Sequence, residues 1–158
     1  MRFLRKAILT TLLSVATVAA SAQNGHSDHD WTRVINAIAQ VESGGNPKAR
    51  SKDCVGLLQI RPVLVRDVNE YLGMRGSKKR FSMDDRYSAE KSKEMFILYQ
   101  RRYNPRNNIE KAIRIWNGGP GYSVRKTDGY LNRVMAHYNK AGRKPVEKQD
   151  STSVDTTE

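Results

Sequence analysis

The chain has a single cysteine, Cys54, among its 158 residues. One cysteine excludes an intramolecular disulfide, so cross-links cannot stabilise the fold. We interpret Cys54 as a small buried residue that packs beside Val55 and Leu57, because no histidine has a reason to lie near it. A catalytic thiol is the less favoured alternative.

Strand patterns, repeats and nucleic-acid signatures are also missing. No long segment alternates apolar and polar residues, and no segment repeats, which disfavours all-β and solenoid folds. Lysine and arginine outnumber acidic residues 28 to 16, giving a net charge of +12. The basic residues form no helix-turn-helix, zinc-finger or aromatic RNA-binding pattern. The charge predicts a polyanionic partner. Because the N-terminal segment described next predicts export, we expect that partner in the bacterial envelope and no nucleic acid, with a nucleic-acid-binding domain as the distant alternative.

A long apolar run occurs only near the start, in residues 7–20. It follows three basic residues and ends in Ala20-Ser21-Ala22, which predicts a cleavable secretory signal over residues 1–22 and a periplasmic or secreted protein. The run is short for a bilayer span, so we expect no stable membrane insertion after cleavage behind Ala22.

The remaining chain is long enough for one domain. Residues 23–30 contain His26 and His29, whose spacing resembles that of metal ligands. The polar composition of this segment instead predicts a flexible linker. We expect neither a metal nor a cofactor. Residues 31–142 are expected to form the domain, and residues 143–158, which are almost free of apolar residues, a disordered tail.

Capping residues and apolar spacing predict helices within the domain. Asn107 and Glu110 have the spacing of a capping box, and residues 73–87 read as a loop. Any sheet should be small and lie between residues 48 and 59. The predicted helices run from about Trp31 to Ser43, Pro62 to Gly73, Ser88 to Asn104, Asn107 to Gly118, and Asp128 to Gly142. The fold class is therefore mainly α, with about five to six helices.

One carboxylate, Glu42, lies on the apolar stripe of the first predicted helix. Ser43-Gly44-Gly45 then ends that helix, so the acid should face a cleft from the last helical turn. Partial burial and the negative end of the helix dipole both favour the protonated acid, as a general acid requires. The alternative is an ordinary helix-terminal residue whose carboxylate reaches water.

Glu42-Ser43 followed by Gly56-Leu57-Leu58-Gln59-Ile60 resembles the first two motifs of the lytic transglycosylases with a goose-type lysozyme fold. Two later segments resemble further motifs of this SLT family, in the same order along the chain. They are Ile115-Trp116-Asn117-Gly118-Gly119 and Gly129-Tyr130-Leu131-Asn132-Arg133-Val134.

The resemblance implies cleavage of peptidoglycan glycan strands between N-acetylmuramic acid (MurNAc) and N-acetylglucosamine (GlcNAc), with a 1,6-anhydromuramoyl product. It assigns Glu42 as the general acid and then the base. The other site residues would bind substrate or support the acid. Ser43 would orient Glu42 or bind the acetamido group, and Tyr130 would form a hydrogen bond near Glu42. Gln59 and Asn117 would bind the sugars through their amides, and Trp116 would offer a stacking face.

Two positions depart from the commonest family pattern. Leu58 replaces a frequent Met, which conserves volume, and Trp116 replaces a frequent Tyr, which adds a larger stacking face. Tyr130 also fits the buried stripe of its helix, so core packing is its alternative role. Asp53, Asp84 and Asp85 lie in polar loop segments and read as turn or cap residues rather than as a second catalytic carboxylate.

Three functional alternatives remain open at this point: a hydrolytic muramidase, a non-catalytic peptidoglycan-binding module, and the nucleic-acid-binding domain. The product of digestion and the effect of replacing Glu42 separate the first two from a lytic transglycosylase. We expect a monomer, and an envelope-spanning machinery is among the partners that the sequence leaves open.

Overall fold

A computed structural model of the protein describes residues 29–143, which form a helical domain. The predicted signal peptide, most of the linker and nearly all of the tail lie outside these residues. Within the described part the helices are α1 (Thr32–Ser43), α2 (Pro62–Met74), α3 (Ala89–Tyr103), α4 (Ile109–Gly118) and α5 (Val124–Ala141), with strands β1 (Arg50–Ser51) and β2 (Cys54–Val55) and a 3-10 helix (Asp84–Tyr87). The mainly helical fold with a small sheet is confirmed.

Helix α1 is amphipathic and packs its apolar stripe against α5 and α4, while α2 packs against α3. The fully buried side chains at the centre of the domain include Ile38, Phe96 and Ile113. Burial of this apolar surface is the main force that holds the helices together. None of the helices in the described residues is long and apolar enough to cross a membrane.

The two strands form an antiparallel hairpin with Arg50 opposite Val55 and Ser51 opposite Cys54. This is the small sheet predicted between residues 48 and 59. The segment before α3 fastens it, because the guanidinium Nη1 of Arg86 donates to the backbone carbonyls of Asp53 and Ile60 at 3.0 and 3.1 Å. The hairpin and the turn that follows it are therefore held against the 3-10 helix.

Gly56 lies where the hairpin approaches that 3-10 helix. Its φ is +80°, and a Cβ atom added there would lie 1.8 Å from the backbone oxygen of Arg86. Both the left-handed conformation and the close backbone approach require glycine.

The prediction that Asn107 caps α4 is wrong by one residue. Asn107 has a φ of +53°, whereas Asn108 is extended and its Oδ1 accepts a hydrogen bond from the backbone N–H of Lys111 at 2.7 Å. Asn108 is therefore the N-cap. The loop predicted over residues 73–87 also needs a correction, because its end forms the 3-10 helix.

Helix α5 begins at Val124, four residues before the predicted start near Asp128. The first turn of α5 contacts the rest of the domain through polar groups, so it has no apolar stripe from which its start could be predicted. Arg114 of α4 is 5% exposed, and its Nη1 donates to the Val124 carbonyl and to Thr127 Oγ1 at 2.9 and 2.8 Å. A buried guanidinium with these partners replaces the apolar contact on which the prediction depended.

Candidate active site

A cavity of about 440 Å³ brings together four of the six predicted site residues: Glu42, Gln59, Trp116 and Asn117. They come from the end of α1, the turn after the hairpin, and the end of α4. The rest of the lining mixes polar and apolar residues, which are Cys54, Ile60, Arg61, Val63, Leu64, Asp67, Tyr99, Ile115, Gly118, Gly119 and Pro120. Another cavity of about 480 Å³, near Tyr122, contains none of the predicted residues.

Tyr130 holds the carboxyl group of Glu42 from behind the cavity. Its hydroxyl donates to Glu42 Oε1 at 2.6 Å, and its ring is 5% exposed. The same residue therefore packs in the core and contacts the acid, which unites the two roles predicted for it. Oε2 of Glu42 accepts no hydrogen bond within residues 29–143, so it is the oxygen available to carry a transferable proton.

Burial raises the pKa of Glu42 above its ordinary value, against smaller lowering effects from the Tyr130 hydrogen bond and the charge of Arg133. The position at the C-terminal end of α1 also disfavours a negative charge. Burial and the nearby carboxylate likewise raise the pKa of Tyr130, so its hydroxyl remains a donor. The pair thus combines a carboxyl group whose pKa is raised with a hydroxyl group that donates to it.

The raised pKa predicts a pH-dependent effect of Glu42 on stability. The folded state binds this proton more tightly than the unfolded state, so the carboxyl's favourable contribution is complete below its ordinary pKa of 4.5 and is lost as pH rises through the higher folded value. Glu42→Gln, which cannot ionise, should therefore become more stable relative to the wild type as pH rises from about 4 to 7. Melting temperatures of both proteins across this range would measure the difference, and a constant difference would contradict it.

Gln59 occupies a constrained backbone position at the cavity wall. Its φ is +49°, which is uncommon for a residue with a side chain, and such conformations occur often at functional sites. Its Nε2 donates to the carbonyls of Gly56 and Ala49 at 2.9 and 3.2 Å. These bonds fix the amide group, and its Oε1 accepts no hydrogen bond from the described residues. Gln59 therefore offers a fixed acceptor rather than both halves of its amide.

Trp116 and Asn117 also line the cavity, and they lie at the end of α4, just before the glycines that end it. The indole of Trp116 packs against Phe96 and Tyr99, with ring centroids 5.0 and 6.1 Å apart. These contacts leave Trp116 half-buried, while Asn117 is exposed. The wall therefore presents an aromatic surface supported by the core and a solvated amide beside it.

Ser43 is adjacent to Glu42 but is not among the cavity-lining residues. Its Oγ lies 2.7 Å from the carbonyl of Leu57 and 3.1 Å from that of Ala39, the shorter contact being the better hydrogen bond. Since a hydroxyl has one proton, this arrangement uses its donor to link α1 to the turn that carries Gln59. Its contact is with the scaffold of the site.

Sequence reasoning missed Asp67, Arg61 and Cys54 as cavity-lining residues. Asp67 had a detectable signal, because it lies three residues after Leu64 and four before Tyr71 on the apolar side of α2. Cys54 is partly exposed at the cavity rather than buried in the core, which corrects the packing role predicted for it. Burial and the neighbouring Asp53 raise the pKa of its thiol, which disfavours the thiolate.

Asp67 is the second carboxylate of the cavity, and both of its oxygens are occupied. Oδ1 accepts from Arg102 Nη1 at 2.9 Å, and Oδ2 accepts from the hydroxyl of Tyr103 at 2.8 Å. The ion pair is partly buried, with side-chain exposures near a fifth for both partners. Asp67 is therefore committed to holding α2 against α3. No group of three His, Cys, Asp or Glu side chains in residues 29–143 is arranged to hold a metal ion.

Comparison with known families gives a match over most of the chain. The family described as "Transglycosylase SLT domain" matches residues 19–157, which is most of the chain. No solved structure gives a significant match.

Proposed function

The chain belongs to the transglycosylase SLT domain family, which indicates a peptidoglycan-cleaving function of the lytic transglycosylase type, and from this premise we propose its reaction. The protein cleaves the β-1,4 bond between MurNAc and GlcNAc without water and releases a 1,6-anhydroMurNAc end. The observation that carries this proposal is the partly buried Glu42 carboxyl, held by Tyr130 and exposed to a cavity.

Glu42 would act twice. As the glycosidic bond breaks, its Oε2 proton passes to the leaving GlcNAc oxygen, and the bond's electron pair leaves with that oxygen. The resulting carboxylate then removes the proton from the 6-hydroxyl of the same MurNAc residue. The 6-oxygen forms a bond to the anomeric carbon, which closes the anhydro ring and returns the proton to Glu42.

The oxocarbenium-like centre needs stabilisation between these steps. A retaining glycosidase supplies a second carboxylate about 5 to 5.5 Å from the acid. The remaining cavity carboxylate, Asp67, is bound by Arg102 and Tyr103, which leaves it poorly suited to attack a sugar or to hold a water molecule. We propose that the MurNAc acetamido group supplies the stabilisation instead.

The predicted binding residues would fix the sugars around Glu42. Gln59 would accept a hydrogen bond through Oε1, and Asn117 would contact a sugar through its exposed amide. Trp116 would stack on a pyranose ring, supported by Phe96. Ser43 would act through the scaffold, because its hydroxyl holds the Gln59 turn to α1.

Mass spectrometry of the fragments released from purified sacculi tests the reaction. We expect muropeptides that end in 1,6-anhydroMurNAc, each lighter by one water molecule than the corresponding reducing product. Reducing MurNAc ends would instead support the hydrolytic muramidase. Binding to sacculi without any release would support the non-catalytic module.

Tyr130→Phe should separate the hydroxyl's effect on the acid from its role in packing. The phenyl ring keeps the apolar contacts, but the hydrogen bond that lowers the pKa of Glu42 is lost. We expect roughly a tenfold fall in kcat from lost orientation and a shift of the alkaline limb of the pH–rate profile to higher pH. Tyr138→Phe, also on α5, is the matched control. An unmoved alkaline limb in Tyr130→Phe would show that Glu42 does not set it.

Location and partners follow from the same proposal. Peptidoglycan lies in the envelope, so we propose that the protein is exported and acts there as a monomer without a cofactor. Removal of the predicted signal, with its three basic residues, would lower the net charge from +12 to +9, which would still attract the protein to the anionic wall. N-terminal sequencing of the exported protein should give Gln23 as the first residue.

A further inference from the structure

Arg61 provides the positive charge in the lining of the cavity that contains Glu42. Within residues 29–143, the other residues of this lining are neutral apart from the two carboxylates of Glu42 and Asp67. The side chain of Arg61 is 63% exposed, so its guanidinium lies at the open rim rather than in the core.

The protein itself uses little of this guanidinium. Its Nε lies 3.4 Å from Oδ2 of Asp53, whose side chain is 52% exposed. An exposed pair of this length contributes little to stability and exchanges readily. Nη1 and Nη2 of Arg61 make no hydrogen bond or ion pair within residues 29–143. By contrast, Nη1 of Arg86 and Nη1 of Arg102 are engaged by backbone carbonyls or carboxylates at 2.9 to 3.1 Å.

Arg61 and Glu42 line the same cavity. Cys54 lines it too, and its neighbour in the chain, Asp53, is the ion-pair partner of Arg61. A ligand group bound by Arg61 would therefore lie in the cavity that holds the sugar on which Glu42 acts.

We propose that Arg61 binds a carboxylate of the stem peptide attached to MurNAc and so makes the enzyme prefer glycan whose stem carboxylates are free. This inference rests on the proposed function. The glycan of intact peptidoglycan is uncharged where the lactyl group of MurNAc is amide-linked to the peptide, so its carboxylates belong to the stems. The stem is attached to the sugar whose anomeric carbon reacts. Arginine is suited to this contact because its two terminal nitrogens can bind both oxygens of one carboxylate.

The test compares two soluble, uncrosslinked glycan substrates. One carries native stem peptides, and in the other the stem carboxylates have been converted to methylamides with a carbodiimide and methylamine. For the wild type we expect kcat/KM to be about tenfold higher or more on the native strands, mostly through KM. In Arg61→Gln the ratio of kcat/KM on native strands to kcat/KM on methylamidated strands should fall close to one.

Two further variants make the result specific. Arg66→Gln removes an exposed arginine of α2 that does not line the cavity, and its ratio should match that of the wild type. Asp53→Asn removes the carboxylate that competes for Arg61, and its ratio should rise. An Arg61→Gln ratio equal to that of the wild type overturns the inference, as does an equal fall in Arg66→Gln. Absence of cleavage of both substrates by the wild type would instead contradict the proposed function.

Discussion

Replacing Glu42 with Gln should lower turnover on peptidoglycan by about a hundred- to ten-thousand-fold, the usual contribution of general acid–base catalysis. The substitution keeps the size of the side chain, and its amide oxygen can still accept the hydrogen bond from Tyr130. It removes the proton that the leaving oxygen needs. Rates of fragment release from sacculi, compared with pelleting of the protein with sacculi, would distinguish lost chemistry from lost binding.

Glu94→Gln is the matched control for this substitution. Glu94 forms an exposed ion pair with Lys79, away from the cavity, and exposed pairs contribute little to stability. We expect wild-type turnover from this variant. Wild-type fragment release by Glu42→Gln, in a protein with a normal melting curve, would rule out Glu42 as the acid.

Of the substitutions proposed here, Gly56→Ala should cause the largest loss in the free energy of unfolding. The new Cβ would lie 1.8 Å from the Arg86 backbone oxygen, at a φ of +80° that also disfavours alanine. Relief of the clash requires the hairpin or the 3-10 helix to move. We expect a loss of at least about 3 kcal/mol in the free energy of unfolding, or a fall in melting temperature on the order of 10 °C.

Gly76→Ala separates the two causes. Gly76 has a similar φ of +70°, but a Cβ there would have no atom within 4 Å. Its cost should be about 1 kcal/mol, from backbone conformation alone. Chemical unfolding of the two variants measures the difference, which should equal the cost of the close approach. Equal losses in the two variants would show that the hairpin moves away from Arg86 without cost.

The parts of the fold that sequence predicted well are those set by local patterns. The apolar stripe of α1 and the glycines after it located both the helix and the partly buried position of Glu42. The start of α5 was missed because Arg114 holds it through hydrogen bonds across ten and thirteen residues, and these leave no apolar periodicity.

The candidate site shows the same division. Glu42, Gln59, Trp116 and Asn117 were identified by short motifs, and the structure brings them to one cavity. The inclusion of Asp67 and its neutralisation by Arg102, 35 residues away, depend on how α2 packs on α3. Such a contact has no local signature, because each residue alone resembles an ordinary charged position on a helix surface.

The two tryptophans of the chain both contact the ring of Phe96 but lie in different surroundings. Trp31 is 4% exposed in the core, whereas Trp116 lies at the cavity. Intrinsic fluorescence should therefore have two components, a blue-shifted one from Trp31 that reports unfolding and a quenchable one from Trp116 that reports sugar binding. A Trp31-only variant, Trp116→Phe, would assign the two signals and allow ligand affinity to be followed without any label or turnover.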